Sequence, residues 1–419
     1  MCGEALPNTY LDQCFHCSRL ARSIDEIFRR AKEGIDLFSN RGVLSSDYVP
    51  KKLPFRDEQT SEVAEVLSPI LHDSKPSNLL LYGKTGTGKT AVVQYVLSEL
   101  KSNAKTDQTN LIIVYVNTRI AGTVYGTLAE FAGFLDLPEG GRIPFTGLAI
   151  AEVTKRVFKH IKSNRLHVVF VMDEIDHLVR ESDGADILYQ LTRSSERLAP
   201  GFITLVGISN DLQFKENLDP RVLSSLGEEE LVFPPYTVDE LREILTERAK
   251  VAFRRSVVSP AAINLCAAMA GSEHGDARRA IDLLRIAGEV AEREGLRKID
   301  DACIRKASEK IEVDRVDEAI RSLPVQNKAI LAAVSRFDGG TNTGELFLAY
   351  SNLCKKMGIE ALTQRRVSGI LGDLDLLGLV EASVVSKGRR GRTKKIQLLI
   401  GKDTLEKTLS EDPAFGATA

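Results

Sequence analysis

The chain has few cysteines, no long apolar run and almost no net charge. Six cysteines lie at positions 2, 14, 17, 266, 303 and 354 of 419 residues. They are too few and too irregularly spaced for a disulfide framework, so a reducing cytoplasm is expected. No stretch approaches the ~18 consecutive apolar residues of a membrane span, so no membrane association is expected. The opening MCGEALPNTY lacks a charged region followed by an apolar core and does not read as a secretory signal. A formal net charge of −2 points by itself to no polyanionic partner. The distribution of charge matters more than its sum. No internal repeat is visible.

What is present is the composition of a soluble globular protein, 43% hydrophobic and 27% charged. The length predicts two or three domains. Residues 1–46 form an N-terminal extension in which Leu20, Ile24, Ile27, Phe28, Ala31 and Ile35 recur at helical spacing. Tyr48 to Gln59 reads as an extended segment entering a helix at Asp57. Five short apolar runs follow: LLLY (79–82), LIIVYVN (111–117), VVFVM (168–172), ITLVGIS (203–209) and LVF (231–233). Helical stretches alternate with them. Such runs suit strands buried on both faces of a parallel five-stranded sheet, so residues 47–237 are expected to be an α/β domain.

Beyond Val238 the strands stop. Thr237 to Glu240 is a capping-box pattern, and helical stretches around 259–270, 276–291 and 299–311 complete a helical lid over 238–313. Residues 314–405 hold three helical stretches and two β-rich runs, EASVV (381–385) and KIQLLI (395–400), which is the pattern of a winged helix. The remainder, 406–419, ending in EDPAFGATA, reads as a loose tail.

Gly83 to Thr90, GKTGTGKT, matches G-x-x-x-x-G-K-[ST] in full, with a strand before it and a helix after it. Glycines let the backbone curl so that successive N–H groups converge on phosphate oxygens, and the helix N-terminus adds partial positive charge. The nucleotide contacts of this loop are assigned to Gly83, Lys84, Thr85, Gly86, Thr87, Gly88, Lys89, Thr90 and Ala91. Lys89 would neutralise phosphate charge, and Thr90 would ligate Mg²⁺. The run HVVFVMDEID ends in two carboxylates. Asp173 would reach the magnesium, and Glu174 would polarise an attacking water. Taken alone, the same pair also suits the start of a helix. Asn210, at the end of the fourth run, suits a water-orienting amide as well as an ordinary turn.

Two arginines stand out in the lid. Arg248 falls on the apolar face of its helix with Leu241 and Ile244, where a charge should face a partner or cleft. Arg278 sits in the first turn of a helix expected to be capped by Asp276. A cation is disfavoured there, and an anionic partner would explain it. A salt-bridged surface arginine is the commoner alternative for both.

The stretch 362–380 reads as a helix with Arg365 and Arg366 near its start, where a recognition helix presents side chains to the major groove. The turn 386–395 carries six basic residues and no acid: Lys387, Arg389, Arg390, Arg392, Lys394 and Lys395. Between two strands it reads as a wing meeting phosphates. A protein-docking winged helix is the alternative.

The segments DYVPKKLPFRDEQ, GKTGTGKT, VVFVMDEID, LVGISND, LDPRVLSSLGEEELVFPPY and GDARRAIDLLRIAGEVAE, with the C-terminal winged helix, are together specific. Over about residues 38–405 the chain resembles the archaeal origin-recognition and cell-division-control initiators, a branch of the AAA+ ATPases. The resemblance implies that Asn210 and Arg278 sense nucleotide, and that Tyr236 and Arg248 contact it where sheet meets lid. It places Val49 and Pro50 beside the adenine and makes Arg221 an arginine finger toward a neighbouring subunit's ATP. It puts Thr118 to Gly147 in an insertion that leans on DNA. The activity implied is slow, switch-like ATP hydrolysis. ATP or ADP and Mg²⁺ are the implied cofactors, and double-stranded origin DNA and the replicative helicase the implied partners. A cytoplasmic, nucleoid-associated protein is expected, monomeric in solution and assembling on DNA.

Two rival readings are a signalling P-loop ATPase with a protein-docking winged helix, and a DNA-binding paralogue that does not hydrolyse ATP. The extension departs from the family pattern in carrying Cys14, His16 and Cys17 with Cys2 upstream. No second spaced pair follows, and adjacent His16 and Cys17 are awkward ligands for one tetrahedral ion, so zinc is not expected.

Overall fold

A computed structural model describes residues 35–45, 48–106, 110–144, 146–211, 213, 216, 218–273, 275–386 and 392–415. The helix read over 20–35, except its last residue, and the cysteines at 2, 14 and 17 lie outside these residues. So do Lys387, Arg389 and Arg390. The chain divides into two compact units, 1–304 and 305–419.

The first unit is built on a five-stranded parallel sheet. Its strands are β1 (Leu79–Tyr82), β2 (Leu111–Asn117), β3 (His167–Asp173), β4 (Phe202–Ser209) and β5 (Glu229–Val232), in the order β2-β3-β4-β1-β5. Helix α1 (Asp57–Leu67) precedes β1, and the connections between strands include α2 (Lys89–Thr106), α3 (Thr118–Ala121), α4 (Val124–Gly133), α5 (Ile150–Asn164), α6 (Ile175–Arg180), α7 (Gly184–Thr192), α8 (Ser195–Leu198) and α9 (Pro220–Leu226). Side chains alternate across β1. Leu79 and Leu81 join the core under α1 and α2 with Val63, Leu67 and Val92. Leu80 and Tyr82 face the opposite layer, where Phe131 of α4 stacks on Phe170 of β3 at 4.2 Å. All residues of β1, β3 and β4 are buried, as their unbroken apolar runs predict. The edge strands differ from that expectation. β2 is half-buried and β5 largely exposed, because each has a paired neighbour on one side only.

His167 opens β3, stacked on Phe202 at 4.2 Å, and burial lowers its pKa from the ordinary 6.5 despite the nearby Asp73 carboxylate. The folded chain therefore binds that proton less readily than the unfolded chain. The resulting stability is complete above pH 6.5 and is lost as the pH falls through the lowered folded value. Melting curves at pH 7.5 and 5.5 should show an acid-side loss that shrinks in His167→Leu. An equal loss in both proteins would exclude His167 as its source.

The lid comprises α10 (Val238–Ala252), α11 (Pro260–Ser272) and α12 (Ala277–Glu294). Thr237 and Glu240 close the predicted capping box, a feature that adds on the order of 1 kcal/mol. Part of the N-terminal extension packs here. Phe38 lies against Phe253 at 4.6 Å, and Ser39 and Asn40 both donate to the Ala252 carbonyl. Gly288 leaves the room, since a Cβ there would lie 2.6 Å from the Phe38 ring. Residues 37–44 are thus a fourth layer of the lid. Nothing in their local spacing announces it.

α13 (Asp301–Ser322) runs unbroken through residue 313, where the sequence suggested a domain boundary. The second unit packs α14 (Val325–Val334), α15 (Thr343–Met357), α16 (Gln364–Leu376) and α17 (Lys402–Ser410) against a three-stranded sheet. Its strands β6 (Thr341–Asn342), β7 (Val380–Ser386) and β8 (Arg392–Leu398) lie in the order β6-β8-β7. The expectation of a loose tail is corrected as far as Phe415. Leu409 and Phe415 are buried in the core of this unit. The ammonium of the buried Lys328 bonds Asp412 at 2.7 Å. A buried lysine needs an anion, and the tail supplies it.

Candidate functional site

In the parallel sheet, β4 lies between β3 and β1, so the C-terminal ends of all three strands meet at one edge. That edge is where open α/β sheets hold ligands. The predicted loop curls there with Gly83, Gly86 and Gly88 at φ of 156°, 75° and 93°. At Gly86 and Gly88 this conformation is open to glycine at little cost. A Cβ on Gly88 would also come within 2.8 Å of the Tyr236 hydroxyl.

Lys89 is 4% exposed and lies within the curl, donating to the carbonyls of Gly83 at 2.7 Å and Lys84 at 2.8 Å. Burial pushes its pKa down to about 8, with the Asp173 carboxylate opposing the shift and the Arg278 guanidinium adding to it. Thr90 Oγ1 donates to Asp173 Oδ2 at 3.0 Å. A hydroxyl and a carboxylate side by side are the hard oxygen donors that Mg²⁺ prefers, so these two residues fit the ion. The Tyr115 hydroxyl donates to the same carboxylate oxygen, Asp173 Oδ2. Burial and the carboxylate raise its pKa, so it stays a donor.

Glu174 has φ +53°, a left-handed conformation that turns the chain sharply from β3 into α6. It occupies the N-cap position but makes no side-chain cap bond, so the helix-start alternative does not explain its carboxylate. The carboxylate instead receives Asn117 Nδ2 at 3.3 Å and Arg119 Nη1 at 3.5 Å. Asn210 is exposed just past β4, beside the P-loop strand.

Arg278 is exposed in the first turn of α12, whose N-cap is Asp276 as predicted. The Ala277 N–H bonds the Gly86 carbonyl at 3.2 Å, so the start of this lid helix rests on the loop. Tyr236 is buried at the junction of core and lid. Arg248 lies at the same junction, on the inward side of α10. It donates to the Val43 carbonyl at 2.9 Å and stacks over Tyr48 at 4.7 Å. In this structure it holds the segment leading into Val49 and Pro50, both partly exposed. Arg221 is held to Asp219 in the first turn of α9 and projects outward, its side chain 77% exposed.

Sequence reasoning passed over Arg56. It lies within the segment Tyr48 to Gln59 and is 3% exposed beneath the P-loop. Its Nε donates to the Thr87 carbonyl at 2.9 Å, Nη2 to the Pro234 carbonyl at 2.6 Å, and Nη1 to the Phe55 carbonyl at 3.0 Å. It also lies 3.9 Å from the Tyr236 ring centroid. The signal available was a lone arginine in a segment otherwise free of explanation. Tyr115, inside an apolar run, gave none.

In the second unit, α16 buries Val367, Ile370, Leu371 and Leu374 and exposes Arg365 and Arg366 in its first turn. Thr363 caps that turn. β7 and β8 form an antiparallel pair from Val380↔Leu398 to Ser386↔Arg392, with Lys394 and Lys395 on the returning strand. The predicted wing is therefore a β-ribbon. Its basic turn, apart from Ser386 and Arg392 to Lys395, lies outside the described residues.

Three family models match the chain. They are an AAA domain over residues 72–214, the Cdc6 AAA+ ATPase-type lid domain over 242–309, and the CDC6 C-terminal winged helix domain over 318–408. An ORC1-type DNA replication protein of Pyrococcus furiosus is 44% identical over 393 residues, covering 93% of this chain and 93% of its own. Another, of Cenarchaeum symbiosum, is 46% identical over 391 residues, covering 93% and 95%. Among solved structures, the Aeropyrum pernix ORC1 protein in complex with DNA is 46% identical, covers 91% of this chain and 98% of its own, and superposes with a TM-score of 0.80. With relatives this similar along nearly its whole length, the chain belongs to the archaeal ORC1-type DNA replication proteins, AAA+ ATPases with a Cdc6-type lid and a winged helix.

Proposed function

We propose that the protein is an origin-binding initiator whose contact with DNA is governed by a slow ATP switch and which helps recruit the replicative helicase. The observation that carries this reading is the closed set of Lys89, Thr90, Asp173 and Glu174 under a lid helix that rests on the P-loop. ATP or ADP fits the loop's donors, and Mg²⁺ fits Thr90 and Asp173. The ion, when bound, neutralises phosphate charge. The chain's own residues do the rest. Lys89 and the loop amides hold the phosphates. Glu174 accepts a proton from the attacking water, and Asn210 orients that water. Arg278 carries the presence of the last phosphate to the lid. Arg221, projecting from the surface, would complete the site of a neighbouring copy. The bonds that Glu174 accepts from Asn117 and Arg119 support slow turnover, since they must loosen before the carboxylate takes a proton.

DNA contact is proposed through α16, the wing and the insertion 118–147, whose Ile120 is 84% exposed. Arg365→Ala or Arg366→Ala should cost about 1–3 kcal/mol and relax sequence preference, if these side chains reach base edges. Lys394 and Lys395 should neutralise phosphates, each removal flattening the log-affinity against log-salt slope by roughly one unit. The measurement is fluorescence anisotropy at several salt concentrations, on an origin duplex and a scrambled one. An unchanged slope in the lysine variants would take the wing off the DNA and favour a protein-docking winged helix.

A further inference from the structure

Arg56 is a buried cation with no anion beside it among the described residues. Among the described residues it makes no ion pair, and its partners are three backbone carbonyls and the faces of Tyr236 and Phe233. Leaving a guanidinium 3% exposed with neutral partners is costly, and a surface arginine would serve helix α1 as well. The approach to it is also strained. Phe55, one residue earlier, sits at φ +63°, a conformation disfavoured for a large side chain. That turn sends the Arg56 side chain inward from the N-cap position of α1, where it makes no cap bond.

Its three carbonyl partners lie at separate places. Thr87 is in the P-loop, Pro234 in the strap between β5 and the lid, and Phe55 in the segment before α1. The peptide joining Thr87 to Gly88 presents its carbonyl to Arg56 and therefore its N–H to the opposite side. A charged donor on that carbonyl polarises the amide and strengthens the N–H as a donor. We infer that Arg56 is a positioning residue for nucleotide phosphate, acting through the Thr87–Gly88 peptide while tying the loop to the hinge of the lid. The charge it lacks as a partner is then provided at one peptide's remove by the phosphates. Tyr236 completes the device, since its ring lies against Arg56 and its hydroxyl lies where a side chain on residue 88 would be.

The inference rests on the nucleotide reading of the P-loop, and the two are separable. Calorimetric titration of ATP, ADP and AMP into the full-length protein, Arg56→Met and Arg56→Lys should be paired with nucleotide-free melting of each. ATP and ADP are expected to bind Arg56→Met about tenfold more weakly, the loss expected when one charge-assisted hydrogen bond is removed. AMP, with a single phosphate, should lose less. Arg56→Lys keeps the charge but not the fork, and should fall between. Should Arg56→Met fail to fold, the lysine variant decides alone, by weaker ATP binding at a melting temperature close to that of the parent. A lowered melting temperature with unchanged ATP and ADP affinity would make Arg56 a structural residue only and overturn the inference. An equal loss for AMP and ATP would do the same. Absence of ATP binding by the parent protein would instead remove the P-loop reading beneath it.

Discussion

Replacing Lys89 by alanine is expected to reduce ATP affinity by about two to three orders of magnitude, the usual loss when one member of a desolvated charge pair is removed. Lys89 is almost fully buried, and its ammonium faces the carbonyls of Gly83 and Lys84 inside the curl. Burial holds its pKa near 8, so the cation is kept in an environment that resists it. An arriving triphosphate relieves that cost by placing negative charge beside it, and this relief becomes binding energy. Alanine removes the relief and also the two ties that shape the loop. The nucleotide-free variant should still melt cooperatively, because the β1–α2 core of Leu79, Leu81, Val92 and Val96 does not involve Lys89. Calorimetry with ATP and ADP is the measurement. Full affinity in a folded Lys89→Ala protein would mean that nucleotide, if bound at all, is held elsewhere.

Glu174→Gln should leave ATP affinity within about twofold of the parent while turnover drops by about 10²–10⁴, the contribution of a general base. The amide preserves shape and can still accept from Asn117 and Arg119. It cannot take a proton. The backbone at Glu174 is left-handed, and glutamine tolerates φ +53° no worse than glutamate, so the β3–α6 turn should survive. Single-turnover hydrolysis of radiolabelled ATP, with and without duplex DNA, reads the result. Persistent turnover would transfer the role of holding water to Asn210, which stands exposed past β4, and Asn210→Ala would be the next variant to assay. Loss of binding along with turnover would instead point to damage at Asp173, whose Oδ1 accepts the Glu174 N–H at 2.9 Å.

Much of the candidate nucleotide site is legible because its determinants are consecutive. A loop that must place three glycines and a lysine between a strand and a helix leaves a fixed spacing, and GKTGTGKT carries it. The same holds for the carboxylates that end a fully apolar strand, for the Thr237–Glu240 capping box, and for Asp276 before Arg278. In each case one turn of backbone sets which residue types can stand there. The α16 surface was readable for a related reason. Helical period separates Val367, Ile370, Leu371 and Leu374 from Arg365 and Arg366 without reference to anything outside the helix.

The tertiary structure decided the remainder. It set the strand order that brings Thr90, Asp173 and Asn210 to one edge, and it showed β2 and β5 to be edges. It turned the Tyr115 hydroxyl, hidden in an apolar run, onto Asp173, and buried Arg56 between Thr87 and Pro234. It drew Phe38 onto Phe253 and Lys328 onto Asp412, making lid and winged-helix core out of segments that read as extension and tail. Each of these contacts joins residues tens to hundreds of positions apart. Local backbone preference and periodicity act over a few residues and leave a trace in the sequence. A partner brought near by packing leaves none, so its identity appears only when the chain has folded around it.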